Sequence, residues 1–236
     1  MKIYMDLHTH TLACGHGYST LKENIDAARE MGLSFLGLSE HGPAITGGPT
    51  TMFFSNYKCL PRQYGDLRLF CGAEANIMNY DGELDLEERL LAKMDYVIAS
   101  MHVACVKPGS REENTRASIQ AMRNPHVKIL GHPDDSRYPL DYEELVKAAK
   151  AGNVALELNN SSLRPGSVRQ NGRKNVFTLL RYCKMYDAPV IMGTDSHVCY
   201  GIGHFEEALE ILREADFPEE LVLNADPESI GRLVNV

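Results

Sequence analysis

The chain has 236 residues, of which 44% are hydrophobic and 24% charged, the balance of an ordinary globular protein. This composition excludes a disordered chain and a disulfide-dense miniprotein, and no apolar run reaches the roughly 18 residues that a membrane span needs. The net charge of −8 argues against a nucleic-acid-binding surface, although bound metal ions would still admit an anionic substrate. The N-terminal sequence MKIYMDLHTHT lacks the apolar stretch of a signal peptide, so we expect a cytoplasmic protein.

Seven short segments are predicted to be buried parallel strands, because each is apolar on both faces. They are Ile3–Leu7, Phe35–Ser39, Leu67–Ala73, Tyr96–Met101, Val127–Gly131, Val154–Leu158 and Val190–Thr194.

Helical patterns lie between these strands. A capping box formed by Thr20 and Glu23 predicts a helix that ends at Gly32. Further helices are predicted over residues 141–152 and from about 205 to 215, and Asp226-Pro227 is typical of a helix start.

Seven βα units in one domain over residues 1–236 favour an α/β fold whose parallel strands close, or nearly close, into a barrel. A doubly wound open sheet is the alternative. The first βα turn contains Gly15 and Gly17 but no complete GxGxxG, so a dinucleotide site is not expected.

Potential metal ligands follow six of the seven predicted strands. The carboxyl ends of parallel strands meet on one face, so these side chains are expected to lie together. They are His8, His10 and His16 after the first strand, His41 after the second, Glu74 after the third, His102 after the fourth, His132 after the fifth, and Asp195 and His197 after the seventh.

One zinc ion needs three or four protein ligands, so nine donors suit two or three metal ions, with a carboxylate as a bridge. Imidazole and carboxylate ligands without thiolates fit zinc, manganese or iron. His126 and His204 lie outside this pattern and are interpreted as ordinary surface or packed residues.

The ordered motifs resemble the PHP (polymerase and histidinol phosphatase) family. The resemblance rests on DLHTH near the N-terminus, SEHG after the second strand, GAEANI around Glu74, the isolated His102, GHP at 131–133 and TDSH at 194–197. NNSS at 159–162, FEEALEIL and LNADPESIGRL are similar to the small stand-alone YcdX-type bacterial phosphatases.

The resemblance implies a distorted seven-stranded (β/α) barrel with three metal ions, typically zinc, at its mouth. By position, the first ion would take His8, His10, Glu74 and Asp195. The second would take His16, His41 and His197, and the third Glu74, His102 and His132. Glu74 would then be the bridge, and Asp195 would be mainly a ligand.

The resulting hypothesis is a metal-dependent phosphatase that hydrolyses a small phosphomonoester with a metal-bound hydroxide. Asn160, Ser162 and Arg164 follow the one strand without a ligand, which makes them candidates for substrate binding. Arg169, Arg173 and Lys107 are rim candidates, for which a solvated loop is the simpler interpretation. Glu40 and Asp134 depart from the pattern of many relatives and leave the substrate open.

Other functions remain possible at this point. The substrate could be histidinol phosphate or a nucleic-acid end, although the acidic chain disfavours DNA. An amidohydrolase-type barrel also begins with HxH, but no lysine stands at a later strand end here. A metal-binding module without catalysis is a further alternative, and a homo-oligomer is compatible with the sequence.

Overall fold

Nine strands alternate with helices along residues 1–234, the part of the chain that the computed structural model describes. Each of the seven predicted segments contains a strand, but the third is divided at Gly72, and Gln63–Tyr64 adds a strand that was not predicted. The strands are β1 Met5–Asp6, β2 Phe35–Leu38, β3 Gln63–Tyr64, β4 Leu67–Cys71, β5 Ala73–Asn76, β6 Val97–Ser100, β7 Val127–Leu130, β8 Ala155–Asn159 and β9 Val190–Gly193.

The helices include those that the capping signals predicted. Thr20 and Glu23 form the expected capping box of the first helix, and Asp141 caps the fifth through the backbone N–H of Glu144. Asp226-Pro227 begins a short 3₁₀ turn instead of an α-helix. The helices are α1 Leu21–Glu30, α2 Thr51–Ser55, α3 Glu88–Leu91, α4 Arg111–Met122, α5 Tyr142–Gly152, α6 Asn160–Leu163, α7 Gly172–Tyr186, α8 Glu206–Glu214 and α9 Ile230–Leu233.

None of the helices within residues 1–234 combines the length and the apolar content that a bilayer crossing requires.

The strands form two sheets that are parallel except at one edge. The first has the order β1-β2-β4-β3, in which only β3 runs antiparallel to its neighbour. The second has the order β5-β6-β7-β8-β9 and is entirely parallel. The fold is therefore of the α/β class, with the carboxyl ends of successive parallel strands on one side.

Two isolated parallel bridges connect these sheets. His41 pairs with Glu74, which joins the end of β2 to β5, and Thr9 pairs with Ser196, which joins the segment after β1 to that after β9. Both bridges involve or adjoin predicted metal ligands. The first and last strands are thus brought side by side at the carboxyl ends.

An apolar cluster lies inside the strands, and Tyr96 is its largest member. The Tyr96 hydroxyl is fully buried and donates a hydrogen bond to the carbonyl oxygen of Leu7. A Cβ atom at Gly37 would stand 2.1 Å from that hydroxyl, and one at Gly72 would stand 2.7 Å from the ring. Both glycines are therefore needed to admit the tyrosine. A larger cluster fills the space between strands and helices.

Candidate metal centre

Eight of the nine predicted metal ligands lie beyond the carboxyl end of a parallel strand, and Glu74 lies within β5. This placement puts them above the inner apolar cluster, on the side where active sites of such folds form. The structure has His8, His10 and His16 after β1, His41 after β2, Glu74 in β5, His102 after β6, His132 after β7, and Asp195 and His197 after β9.

Glu74 lies at the middle of this group and is fully buried. Its Oε2 atom is 2.6 Å from Nδ1 of His41. Its Oε1 atom is 2.9 Å from Nε2 of His132 and 3.3 Å from Nε2 of His102. The two oxygens therefore face different sets of histidines, which is the arrangement a bridging carboxylate requires.

Asp195, which follows β9, lies close to His8 and His10, which follow β1. Its Oδ1 atom lies 3.2 Å from Nε2 of His10 and 3.6 Å from Nε2 of His8. The same His10 nitrogen is 3.5 Å from Glu74 Oε2. Two histidine nitrogens and two carboxylates thus converge on one small space.

A second group of rings stands beside this one. His197 stacks on His10 and on His16, with ring centroids 4.3 and 4.5 Å apart respectively. His16 and His41 stack at 5.1 Å. One nitrogen each from His16, His41 and His197 lies within 4.8 Å of the others. His16 is exposed, so this group opens to solvent.

Four of the histidines are fixed by an acceptor at Nδ1. His8 donates to the Glu157 carboxylate at 2.6 Å, and His102 donates to the side-chain oxygen of Asn76 at 2.7 Å. His16 and His197 donate to backbone carbonyls at 3.2 and 3.0 Å. A neutral imidazole that carries its proton on Nδ1 presents the Nε2 lone pair as a ligand, so these contacts select the metal-binding tautomer.

Several other ring nitrogens are buried without hydrogen-bond partners among residues 1–234. They include Nε2 of His8, both ring nitrogens of His10, and Nε2 of His197. Buried polar atoms of this kind are costly unless a ligand satisfies them. Their convergence with ionised carboxylates, and the mixture of imidazole and oxygen donors, fit divalent metal ions.

The electrostatics of the carboxylates agree with this fit. Burial by itself would raise the pKa of Glu74, but His41 and two further histidines hold it well below its usual range. Burial opposes ionisation of Asp195 too, yet His8 and Arg169 lower its pKa well below the ordinary value. Both side chains are therefore available as anions.

The surroundings of His10, at the centre of the group, favour a neutral imidazole. Burial lowers the pKa of His10 well below its usual value, and the neighbouring His41 and His197 lower it further. Metal ions bind unprotonated imidazole, so this environment favours coordination over protonation.

The backbone at two ligand positions is unusual. His132 has φ of 29° and Asp195 has φ of 51°, in the region that non-glycine residues rarely adopt. Such conformations persist where surrounding contacts impose them. Here the N–H of His132 donates to Glu157 at 2.7 Å, and that of Asp195 donates to the carbonyl oxygen of His8 at 2.8 Å. The positive φ values thus turn both side chains towards the shared space.

Two residues that orient predicted ligands were not predicted from the sequence. Glu157 accepts hydrogen bonds from His8 and from the His132 backbone. Asn76 holds His102 and donates its own amide group to Asp85 at 2.6 Å. The sequence does contain a signal, because Glu157 is a charged residue in a segment that is predicted to be a buried strand, and it needs a partner there.

Arg169 was predicted to lie at the rim of the site, but its side chain is largely buried. Its guanidinium donates to Asp195 Oδ2 at 3.0 Å, and also to Asn159 and Ser162 at 3.0 and 3.1 Å. Ser162, predicted to bind substrate, is buried beside it and donates to Asp134 at 3.1 Å. Arg169 therefore connects a predicted ligand to the wall formed after β8.

The other two predicted substrate residues are placed differently. The Asn160 side chain donates to Glu207 at 2.7 Å and accepts from the N–H of Ala208 at 2.9 Å. These contacts fix α8 and use both ends of the amide, so the structure does not bring Asn160 to the ligand cluster. Arg164 is partly exposed and lies 3.8 Å from the carboxylate of Glu207.

Cys14 lies close to the ligands as well. Its sulfur is within 4.8 Å of ring nitrogens of His10 and His197. Burial raises the pKa of this thiol to about 11, and the sulfur accepts a hydrogen bond from the N–H of Gly17 at 3.1 Å. The hydrogen bond from Gly17 lets Cys14 stabilise the turn that carries His16.

Comparison with known proteins identifies relatives along nearly the whole chain. The family model described as "PHP domain" matches residues 6–161. Proteins named probable phosphatase from Clostridium novyi (strain NT) and Clostridium acetobutylicum are each 44% identical over 230 residues, which covers 98% of this chain and 93% of the relative. A probable phosphatase of Thermoanaerobacter sp. (strain X514) is 41% identical over 227 residues, covering 96% of this chain and 92% of the relative.

Solved structures share the fold at low sequence identity. Histidinol phosphate phosphatase from Lactococcus lactis, solved with zinc, L-histidinol and phosphate, has a TM-score of 0.55 and 14% identity over 91% of this chain and 94% of that one. An archaeal ribonuclease P structure with mature tRNA contains a chain with a TM-score of 0.60 and 18% identity, covering 96% of this chain and 86% of that one. With the family model covering more than half of its length, and with its relatives over 40% identical, the chain belongs to the PHP domain family.

Proposed function

We propose that the protein is a metal-dependent phosphatase that hydrolyses a small phosphomonoester at a site with three metal ions. The observation that supports this most is the convergence of buried, unpaired histidine nitrogens on Glu74 and Asp195. A hydrolase of the phosphatase class also agrees with the names of the relatives.

The proposed framework is a single domain built as a distorted seven-stranded barrel. In this interpretation β4 and β5 are one strand interrupted at Gly72, and β3 is an edge addition. The bridges His41–Glu74 and Thr9–Ser196 support it, because they connect the two sheets at two places.

The proposed allotment of ligands follows the two sides of Glu74. One ion would be held by His8, His10, Glu74 and Asp195. A second would be held by His16, His41 and His197, and a third by Glu74, His102 and His132. Short distances support the first and third sets: 3.4 Å from His8 Nε2 to Glu74, and 3.2 Å between Nε2 of His102 and of His132. In the second set, one nitrogen of each histidine lies within 4.8 Å of the others. The ions are proposed to be zinc, with manganese or iron as alternatives.

Divalent ions at such a site supply Lewis acidity and make a water molecule nucleophilic at neutral pH. The chain's own residues would fix the geometry. Glu74 would set the spacing through its two oxygens, and Glu157 would hold His8 and His132 in register. Arg169 would steady Asp195 and place positive charge beside the phosphoryl group, where negative charge develops.

The substrate is proposed to be a small phosphorylated molecule, and a nucleic acid is disfavoured by the net charge of −8. Ser162 and Arg164 remain proposed substrate contacts. Asn160 is not retained, because Glu207 and Ala208 occupy its side chain.

The test is hydrolysis of 4-nitrophenyl phosphate by the purified protein before chelation, after chelation, and after addition of zinc or manganese. We expect activity that chelation abolishes and metal restores. A parallel assay with histidinol phosphate and a short oligonucleotide ranks the substrate classes. Absence of hydrolysis with every phosphoester, despite metal binding, would instead favour a non-catalytic metal-binding module.

A further inference from the structure

A cleft of about 550 Å³ opens beside the ligand cluster, between α6 and the start of α7. Arg169 connects the cleft with the ligand cluster. It lines the cleft, and its Nη2 atom lies 3.0 Å from Asp195 Oδ2. Ser162 also lines the cleft and accepts a hydrogen bond from the same guanidinium at 3.1 Å. A molecule in the cleft would therefore lie next to the proposed reaction site.

The wall of this cleft is strongly basic, in contrast to the chain as a whole. Residues 164–174, with the sequence RPGSVRQNGRK, contain four cationic side chains and no acidic one, whereas the net charge of the chain is −8. The four that line the cleft are Arg164, Arg169, Arg173 and Lys174.

The ion pairs of the outer cations are weak enough to admit a competing anion. Arg173 contacts Glu214 and lies 3.7 Å from Glu210, and Arg164 lies 3.8 Å from Glu207. These side chains are about half exposed or less, in a range where solvent screens most of the attraction. Lys174 is exposed. An anionic ligand group could gain contacts here without breaking a buried pair.

The backbone adds to the positive potential. The 15-residue helix α7 begins at Gly172, where Asn171 makes no side-chain cap and the first turn holds no acidic residue. The first N–H groups of the helix and the positive end of its dipole therefore lie at the cleft. The neighbouring carboxylate, Asp134, is fully buried and accepts a hydrogen bond from Ser162.

We propose that this cleft binds a second anionic group, a phosphate or a carboxylate, of the same small substrate whose scissile phosphoryl group lies at the metal ligands. This inference rests on the proposed phosphatase function and narrows its substrate to doubly anionic esters. Leu163 and Phe177 also line the cleft and would contact the carbon skeleton between the two groups. The cleft volume is in the range of small-molecule sites.

A nucleic-acid strand is a poorer match for the same chemistry. Such a ligand needs positive charge that follows the backbone over several nucleotides. The four basic residues of the cleft all lie within the short segment 164–174, in a chain whose net charge is negative. The structure thus favours a short, doubly charged molecule.

The experiment compares three matched substrate pairs: a hexose bisphosphate with the hexose monophosphate, a pentose bisphosphate with its monophosphate, and a nucleoside 3′,5′-bisphosphate with the 5′-monophosphate. We expect at least one bisphosphate to have a kcat/KM about tenfold above its partner, since charge-assisted hydrogen bonds hold the second group. The double variant Arg173→Ala/Lys174→Ala should lose that preference through a higher KM and keep its rate with 4-nitrophenyl phosphate.

The matched control is Arg181→Ala/Lys184→Ala, which removes two charges from the same helix away from the cleft. This variant should retain the preference. Calorimetric titration of the same pairs needs no turnover, so it separates failure of the cleft from failure of the phosphatase. Equal values for all pairs in both assays, or an unchanged preference in the Arg173/Lys174 variant, would overturn the proposal. Stronger binding of an oligonucleotide than of every bisphosphate would overturn it in favour of nucleic acid.

Discussion

The interior of the strands and the buried part of the ligand layer above it differ in how their polar groups are paired. Inside, the hydroxyl of Tyr96 is satisfied by Leu7, and the amide of Asn224 by Met5 and Met192. In the ligand layer, nitrogens of His8 and His10 are buried without partners among residues 1–234. Polar groups are normally paired when buried, so the difference marks the upper layer as a site that metal ions complete.

Two positions with an unusual backbone also lie in the ligand layer. The ligand positions His132 and Asp195 have positive φ. Strain of this kind is retained where it positions functional groups. We therefore expect substitutions in the apolar interior to lower the free energy of unfolding. Substitutions in the ligand layer should lower metal binding and activity.

The largest effect is expected from Glu74→Gln, which replaces the proposed bridge with a neutral group of similar shape. Bound metal and phosphatase activity should be lost together, with kcat/KM lower by about 10³-fold. Elemental analysis and hydrolysis of an aryl phosphate on the same sample measure both. Full activity in this variant would show that Glu74 is not a bridge between metal ions.

Metal removal should have the next largest effect. Ions that bind only the folded state add about 3–4 kcal/mol at concentrations well above their dissociation constants. Chelation should therefore lower the melting temperature of the wild-type protein by about 10 °C. Addition of zinc or manganese should restore it, but should have little effect on Glu74→Gln. A melting temperature that is unaffected by chelation would mean that the unpaired nitrogens are not metal ligands.

Glu157→Gln tests the layer of residues that orient the ligands. An amide has one acceptor oxygen, so it cannot serve both His8 and the His132 backbone as the carboxylate does. We expect metal affinity or activity to fall about 10–100-fold. Glu144→Gln, on the exposed surface of α5, is the matched control and should behave as wild type. Equal metal affinity in the two variants would show that Glu157 is not needed for orientation.

The smallest effect is expected in the interior. Tyr96→Phe removes the hydrogen bond to Leu7 and leaves a buried carbonyl unsatisfied. The free energy of unfolding should fall by about 1–3 kcal/mol, as measured by urea denaturation, while metal content is unchanged. Loss of metal in this variant would show that the two layers are not independent.

The sequence predicted the strand framework and the ligands because both depend on local patterns. Apolar runs located all seven strand segments, and the spacing of histidines at their ends predicted which side chains lie together in the structure. The division at Gly72 was not predicted, since it depends on the ring of Tyr96 packing against that glycine. Asn160 was assigned to substrate because it follows a strand, but its contact with Glu207 is set by the distant helix α8.

Residues that orient the predicted ligands were the hardest to predict from the sequence. Glu157 and Asn76 orient ligands from strands that are 81 residues apart in sequence (157 minus 76), so no local motif contains both. Arg169 lies in a loop whose path determines whether it points to solvent or to Asp195. Such contacts depend on tertiary structure and became visible only with the fold.

The most direct test of the central claim is the number of metal ions per chain in gently purified wild-type protein, measured by elemental analysis. Three are expected, because the proposed ligands form three sets, two of which share Glu74. One ion or none per chain, even after incubation with zinc or manganese, would contradict it.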